Sequence, residues 1–123
     1  MADIIEITSL DTPALAPYRQ LTGRQLQGES IFIAESENVI LAGLEAGCRP
    51  LSLLMERRHI TGKGAALVER CGVPVYTGED ALLKDLTGFQ LSRGILCAME
   101  RPSPLTAADV LANAYRIAVL ENV

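Results

Sequence analysis

The chain has 123 residues, eleven Lys or Arg against fifteen Asp or Glu for a formal charge of -4, and a 49% hydrophobic content. That length suits one domain with one substantial core, no apolar run nears the roughly 20 residues that span a bilayer, and the acidic balance excludes indiscriminate nucleic-acid binding, which draws on many Lys and Arg side chains. With aromatics at 4% and no Trp, aliphatic packing has to dominate.

The first ten residues contain Asp3 and Glu6 and no basic side chain, unlike a secretory signal, so a cytoplasmic setting is expected. Asp11-Thr12-Pro13 predicts a helix start, with Leu15, Tyr18, Leu21 and Leu26 along one face. "SIFIAES" predicts a strand buried on both faces around Ile31, Phe32 and Ile33, and Ser36 is placed to cap a helix running to about Ala46 and stopped by Gly47. "PLSLLM" predicts the next strand, and Gly62 to Cys71 a helix closed by Gly72. "VPVY" predicts a short strand that Pro74 places near a sheet edge. Thr77 with Asp80 three positions on has the spacing of a capping pair, so a helix through Leu82, Leu83 and Leu86 should follow and end at Gly88. Phe89 to Arg93 is then loop, and Ile95 to Met99 strand.

Pro102-Ser103-Pro104 is the one linker-like stretch. Beyond it Thr106 and Asp109 predict a short capped helix, and "RIAVLENV" a terminal strand. Strands alternating with helices predict an α/β class fold, a three-layer sandwich on a mostly parallel sheet. The last strand has no helix after it to cover it, which reads as the truncated first strand of a second domain.

Charge is uneven. Arg49, Arg57, Arg58, Lys63 and Arg70 stand against Glu56 and Glu69, a local excess that predicts a basic patch on an acidic body. Nine of the eleven basic residues are Arg, whose planar fork suits phosphate. Cys48, Cys71 and Cys97 are odd in number and far apart, giving neither a zinc pattern nor a disulfide framework, and are expected as buried free thiols. His59, the single histidine, is expected as an exposed loop residue, and the Gly62-Lys63-Gly64 set is too short for a Walker loop.

Four stretches in fixed order, "SIFIAESENVILAGLEAG", "RPLSLLMERR", "VPVYTGEDALLKDLTGF" and "RGILCAMERP", carry a resemblance to the amino-terminal part of SpoU/TrmH-type RNA ribose methyltransferases of the SPOUT superfamily. The resemblance implies an L30e-like RNA substrate-binding domain over residues 1–101. It also implies a linker helix and first strand of a missing SPOUT methyltransferase domain over 102–123, "YRIAVLENV" being similar to that strand. The Asn-Pro-x-Asn-x-Gly segment and the catalytic Arg that normally follow in the family do not appear. The fragment is therefore expected to be inactive alone, with no catalytic residue, cofactor or metal of its own, and S-adenosylmethionine is expected for the full-length parent. Where relatives have Glu-Gly this chain has Glu35-Ser36, and the preceding loop carries one Arg where relatives are often richly basic.

Residues expected to face RNA are Arg24, Arg57, Arg58, Lys63 and Arg93, with Glu35, Asn38 and Gln90 from neighbouring turns. Each has a plainer reading: Arg93 beside Gly94 as a surface residue next to a turn glycine, Glu35 as a cap of the helix it precedes, Gln90 as loop filler, and Arg57, Arg58 and Lys63 as a solvated loop. Expected partners are structured RNA, rRNA or tRNA, with no membrane; the parent would be a homodimer through the missing domain and the fragment a monomer. A free-standing L30e/L7Ae-like RNA-binding protein without enzymatic activity remains the alternative. A complete small enzyme lacks a nucleophile-base pair.

Overall fold

The computed structural model describes residues 3–21, 30–91 and 94–122. Arg24, Leu26 and Arg93 lie outside the described residues. Five strands form one sheet in the order β1-β4-β3-β5-β2: β1 Ile4–Glu6, β2 Ile31–Glu35, β3 Pro50–Glu56, β4 Val75–Gly78 and β5 Ile95–Glu100. β1, β4 and β3 pair in parallel, while β5 runs antiparallel to both β3 and β2, so four strands point one way and one points back. Helices α1 Glu37–Glu45, α2 Arg57–Ile60, α3 Ala65–Cys71, α4 Asp80–Thr87 and α5 Ala107–Leu111, with a 3-10 helix at Pro13–Tyr18, complete the chain.

Alternation along the central strands creates two cores, because successive side chains leave a strand on opposite faces. Leu53 and Met55 of β3, Val75 of β4, and Ile95, Cys97 and Met99 of β5 pack with Ile40 of α1 and Leu67 of α3 on one face. Leu54, Tyr76, Leu96 and Ala98 pack with Leu15 and Tyr18 of the 3-10 helix and Leu83 and Leu86 of α4 on the other. The α/β class fold, as a three-layer sandwich on a sheet with four strands in one direction, is as expected.

Several local expectations gave way. The first helix is a single 3-10 segment: Pro17 lies within it and offers no N–H, and Arg19 turns extended, although Leu15 and Tyr18 are buried on one side as expected. β1 was not expected. It is an edge strand of three exposed residues, too short to show a period. β4 lies next to the sheet edge, as Pro74 suggested, with β1 on its outer side; Pro74 precedes the strand and its carbonyl accepts from the Leu53 N–H at 2.9 Å.

Thr77 does not cap α4. It lies inside β4 with its hydroxyl buried and unpartnered among the described residues, and Glu79 occupies the cap position. The helix expected over Gly62 to Cys71 is shorter, with the turn 61–64 separating α2 from α3. Gly72 and Gly88 close their helices in the left-handed conformation, as expected.

Residues 116–122 form no strand. A strand needs a neighbour for its backbone groups, and every residue from 101 to 122 is exposed, with Ile117, Val119 and Leu120 among the most exposed apolar side chains. Upstream, α5 has the expected capping box, Thr106 and Asp109 each accepting the other's backbone N–H at 3.1 Å. Of the thiols only Cys97 is fully buried, and burial pushes its pKa up to about 12; Cys48 and Cys71 are partly accessible.

Two buried polar features stand out. The Tyr18 hydroxyl shares a 2.6 Å hydrogen bond with Ser52 Oγ and accepts the Ala98 N–H at 3.2 Å, joining the 3-10 helix to both central strands; burial raises the phenol well above its ordinary pKa. Tyr18→Phe leaves Ser52 and Ala98 without their buried partner and should cost about 1–3 kcal/mol in urea unfolding. An unchanged midpoint would mean that water replaces the phenol.

Ser36 has φ 83° and ψ 155°, makes no capping bond, and buries a hydroxyl that is unpartnered among the described residues. That backbone region is nearly restricted to glycine and stores about 1–3 kcal/mol of strain. The expectation of a Ser36 cap fails for this reason. Ser36→Gly should raise stability by about 1 kcal/mol even though glycine gives the unfolded chain more freedom; a lower urea midpoint would contradict the strain.

A candidate nucleic-acid interface at one end of the sheet

The carboxyl ends of β1, β4, β3 and β2 meet the start of β5 at one end of the sheet. Register places Glu6 beside Thr77, Glu56 beside Gly78, Met55 beside Ile95 and Glu35 beside Leu96. Ser36 continues from β2 and donates its N–H to the Ile95 carbonyl at 3.0 Å. In open α/β sheets ligands bind outside this edge, because the strands deliver their connecting loops there. Six of the eight residues expected to face RNA, namely Glu35, Asn38, Arg57, Arg58, Lys63 and Gln90, arrive on a strand end, loops or first helical turns at this end.

The basic patch expected from composition does not form as such. Arg49 precedes β3 at the opposite end of the sheet, where it pairs with Glu100 at 2.9 Å, and Arg70 lies in the last turn of α3, the far end of that helix from Lys63. The gathered end carries Arg57, Arg58 and Lys63 against Glu6, Glu35, Glu37, Glu56, Glu79 and Asp80. Among the described residues it is therefore a mixed surface that leans acidic.

Arg57 and Arg58 are engaged by carboxylates. Arg57 reaches from the start of α2 to both Glu6 and Glu79, so one guanidinium ties the end of edge strand β1 to the start of α4. The two carboxylates hold its pKa above the ordinary value. A planar fork can span two acceptors in this way where an ammonium could not. Arg58 folds back on Glu56 at 2.8 Å with its side chain still largely exposed. The Gln90 amide donates to both Asp80 oxygens at 2.6 and 2.7 Å, which fixes the loop before β5 rather than leaving the amide for a base edge. Asn38 is exposed in the first turn of α1, and Glu35 is half-buried.

His59 is not a loop residue. It lies in α2, half-buried. Its carbonyl accepts the N–H groups of Gly62 at 3.2 Å and Gly64 at 2.8 Å, and its imidazole lies against Gly94. A Cβ at Gly94 would sit 2.5 Å from His59 Nε2 and 3.4 Å from Lys63 Nζ, and Gly94 has φ +77°. Glycine is needed there on both counts. Desolvation, then Lys63, then Arg58 lower the His59 pKa, with Glu56 opposing them. The sequence offered a signal in "RRHITGKG", a histidine bracketed by cations and glycines, but not the approach of Gly94 from 35 residues away.

Two clefts lie elsewhere. One of about 240 Å³ runs along Gly47, Cys48, Arg49 and residues 100–103; the other, about 160 Å³, is bounded by Leu10, Asp11, Arg19, Gln20, Asp85 and Leu86. Both fall below the roughly 300 Å³ at which small-molecule pockets usually begin, and neither fits a nucleoside cofactor. Among the described residues no group of His, Cys, Asp and Glu could hold a metal, and no helix is long and apolar enough to cross a membrane.

Because Arg57 is held by two carboxylates, Arg57→Gln should loosen β1, seen as faster hydrogen exchange of the Ile7 amide that donates to the Thr77 carbonyl at 2.9 Å. The salt slope of RNA binding should stay the same. A slope lowered by about one would restore Arg57 as a phosphate contact.

No family model matches the chain. In sequence it is 29% identical over 126 aligned positions to proteins of Mycobacterium bovis and Mycobacterium tuberculosis, each named as an uncharacterized tRNA/rRNA methyltransferase. The match covers 98% of this chain and 43% of each relative, so the chain spans less than half the length of the relatives it matches. In structure it aligns with a crystal structure of an rRNA methyltransferase from Sinorhizobium meliloti at a TM-score of 0.51 and 21% identity, over 82% of this chain and 38% of that one. The chain is related in sequence to proteins named as tRNA/rRNA methyltransferases, and its mixed α/β sandwich is a fold that an rRNA methyltransferase also contains.

Proposed function

We propose that this chain is the RNA-recognition part of a longer RNA methyltransferase. The observation that carries the reading is the gathering of six sequence-selected residues, from four separate stretches, at the carboxyl end of the parallel strands. Relatives of more than twice the aligned length, named for tRNA or rRNA methylation, support the same assignment.

The finer reading follows the resemblance to the SpoU/TrmH type. The chain is an L30e-like domain, the parent transfers a methyl group from S-adenosylmethionine to a ribose 2'-hydroxyl in rRNA or tRNA, and the parent dimerises through the domain beyond residue 102. In that arrangement this domain supplies position. A second grip on the RNA raises the effective concentration of the target hydroxyl at the reacting domain. The exposed apolar side chains Ile117, Val119 and Leu120 fit a segment that finds its strand partners in that further domain.

With Arg57 and Arg58 engaged by carboxylates, few cations at this end, among the described residues, can neutralise phosphate. The 123-residue chain should bind a structured RNA weakly, and the plot of log affinity against log salt should have a slope of about -1 to -2, well short of that of a protein with a broad basic face. Fluorescence anisotropy at several salt concentrations measures this. Binding with no salt dependence, or no binding at low salt, would count against an RNA-recognition role.

A further inference from the structure

The candidate interface contains one group whose charge can change near neutral pH, and the fold positions it closely. Three glycines surround His59. A Cβ on Gly62 would come within 3.0 Å of the Arg58 carbonyl, one on Gly64 within 2.7 Å of the His59 carbonyl and 2.6 Å of Met55 Sδ, and one on Gly94 would collide with the imidazole. The turn 61–64 can therefore close tightly on α2, with the His59 carbonyl taking two N–H bonds, while Gly94 lies against the ring. The result is an imidazole held against Gly94 at the carboxyl end of the sheet, with the Lys63 ammonium beside the same Gly94 position.

We infer that His59 and Lys63, packed against Gly94, form a proton-linked seat for an RNA phosphate. The inference rests on the RNA-recognition reading and deepens it. Among the described residues, the charged groups facing the ring are Lys63 from the turn, Arg58 from α2 and Glu56 from the end of β3, and Glu56 is already paired with Arg58. In the free protein the two cations and partial burial disfavour a third positive charge.

An arriving phosphate reverses that balance. It screens Lys63 and Arg58 and offers an acceptor to a protonated imidazole, so the ring takes a proton from solvent as the phosphate binds. By linkage, whatever raises the His59 pKa on binding must also tighten binding as pH falls. The sign for folding is separate: with the folded pKa below the unfolded value, the contribution of neutral His59 to stability is full above pH about 6.5 and is lost as pH falls through the folded value. The binding comparison therefore stays within the pH range where the chain remains folded.

As the single histidine, His59 gives an unambiguous NMR titration. Three measurements on the 123-residue chain, with a fluorescein-labelled RNA stem-loop as probe, test the seat. The His59 pKa should rise by about one unit at saturating RNA, wild-type affinity should be several-fold tighter at pH about 5.5 than at about 7.5, and His59→Gln should bind the stem-loop with that pH dependence abolished. Lys63→Gln should lower the salt slope by about one while raising the His59 pKa of the free protein.

Salt-dependent RNA binding with an unmoved His59 resonance, or an identical pH profile in His59→Gln, would overturn the seat and leave the RNA-recognition reading intact. No RNA binding at any pH would overturn both. Circular dichroism at both pH values checks folding, and inorganic pyrophosphate shifting the His59 resonance in the same direction supports a phosphate contact even if His59→Gln folds poorly.

Discussion

Strands β3 and β5 are apolar on both faces and lie side by side in the middle of the sheet, Leu53 against Cys97, Leu54 against Leu96 and Met55 against Ile95. A strand pair covered on both sides leaves no room for polar side chains along its length, because a buried polar group without a partner is costly. The one polar exception is Ser52, which is satisfied by Tyr18. Polar and charged chemistry is therefore pushed to the strand ends, and the direction of the strands decides which residues meet there.

Because four strands run in one direction, their carboxyl ends collect glutamates: Glu6, Glu35 and Glu56 each close a strand, and Glu79 follows β4. Arg57 and Arg58 come immediately after Glu56 and are drawn into that acidic rim. The same local geometry that makes these arginines attractive as phosphate contacts surrounds them with carboxylates, and the carboxylates are the nearer partners. On the proposed RNA-recognition reading, selectivity comes from placement rather than attraction, since the general electrostatic pull is weak.

A backbone conformation that favours glycine links the fold to the interface at two distant points. Gly94 closes the distance between β5 and α2, and its φ of +77° turns the chain into the strand. At the equivalent exit from β2, Ser36 stands in a glycine conformation, the same position at which the resemblance has Gly, and the strain is held by the Ser36 N–H bond to Ile95. Both positions lie against the start of β5, so this short segment organises both sides of the surface.

Much of the fold was legible in the sequence. Continuous apolar runs marked β2, β3 and β5, and glycines at 72 and 88 marked helix ends, since both signals arise from local periodicity and backbone sterics. What the sequence could not specify depended on partners distant along the chain. Pairing with Ile4–Glu6 made β4 an inner strand, and Thr77 was drawn into that strand rather than capping a helix. Tyr18 became a core residue through Ser52, and the arginines selected for RNA met Glu6 and Glu79 across the sheet end. His59, set aside as a loop residue, became the best-positioned group of the interface through Gly94. Local propensity reports which elements form, but a side chain's charge and accessibility are fixed by neighbours that only the folded sheet brings within contact.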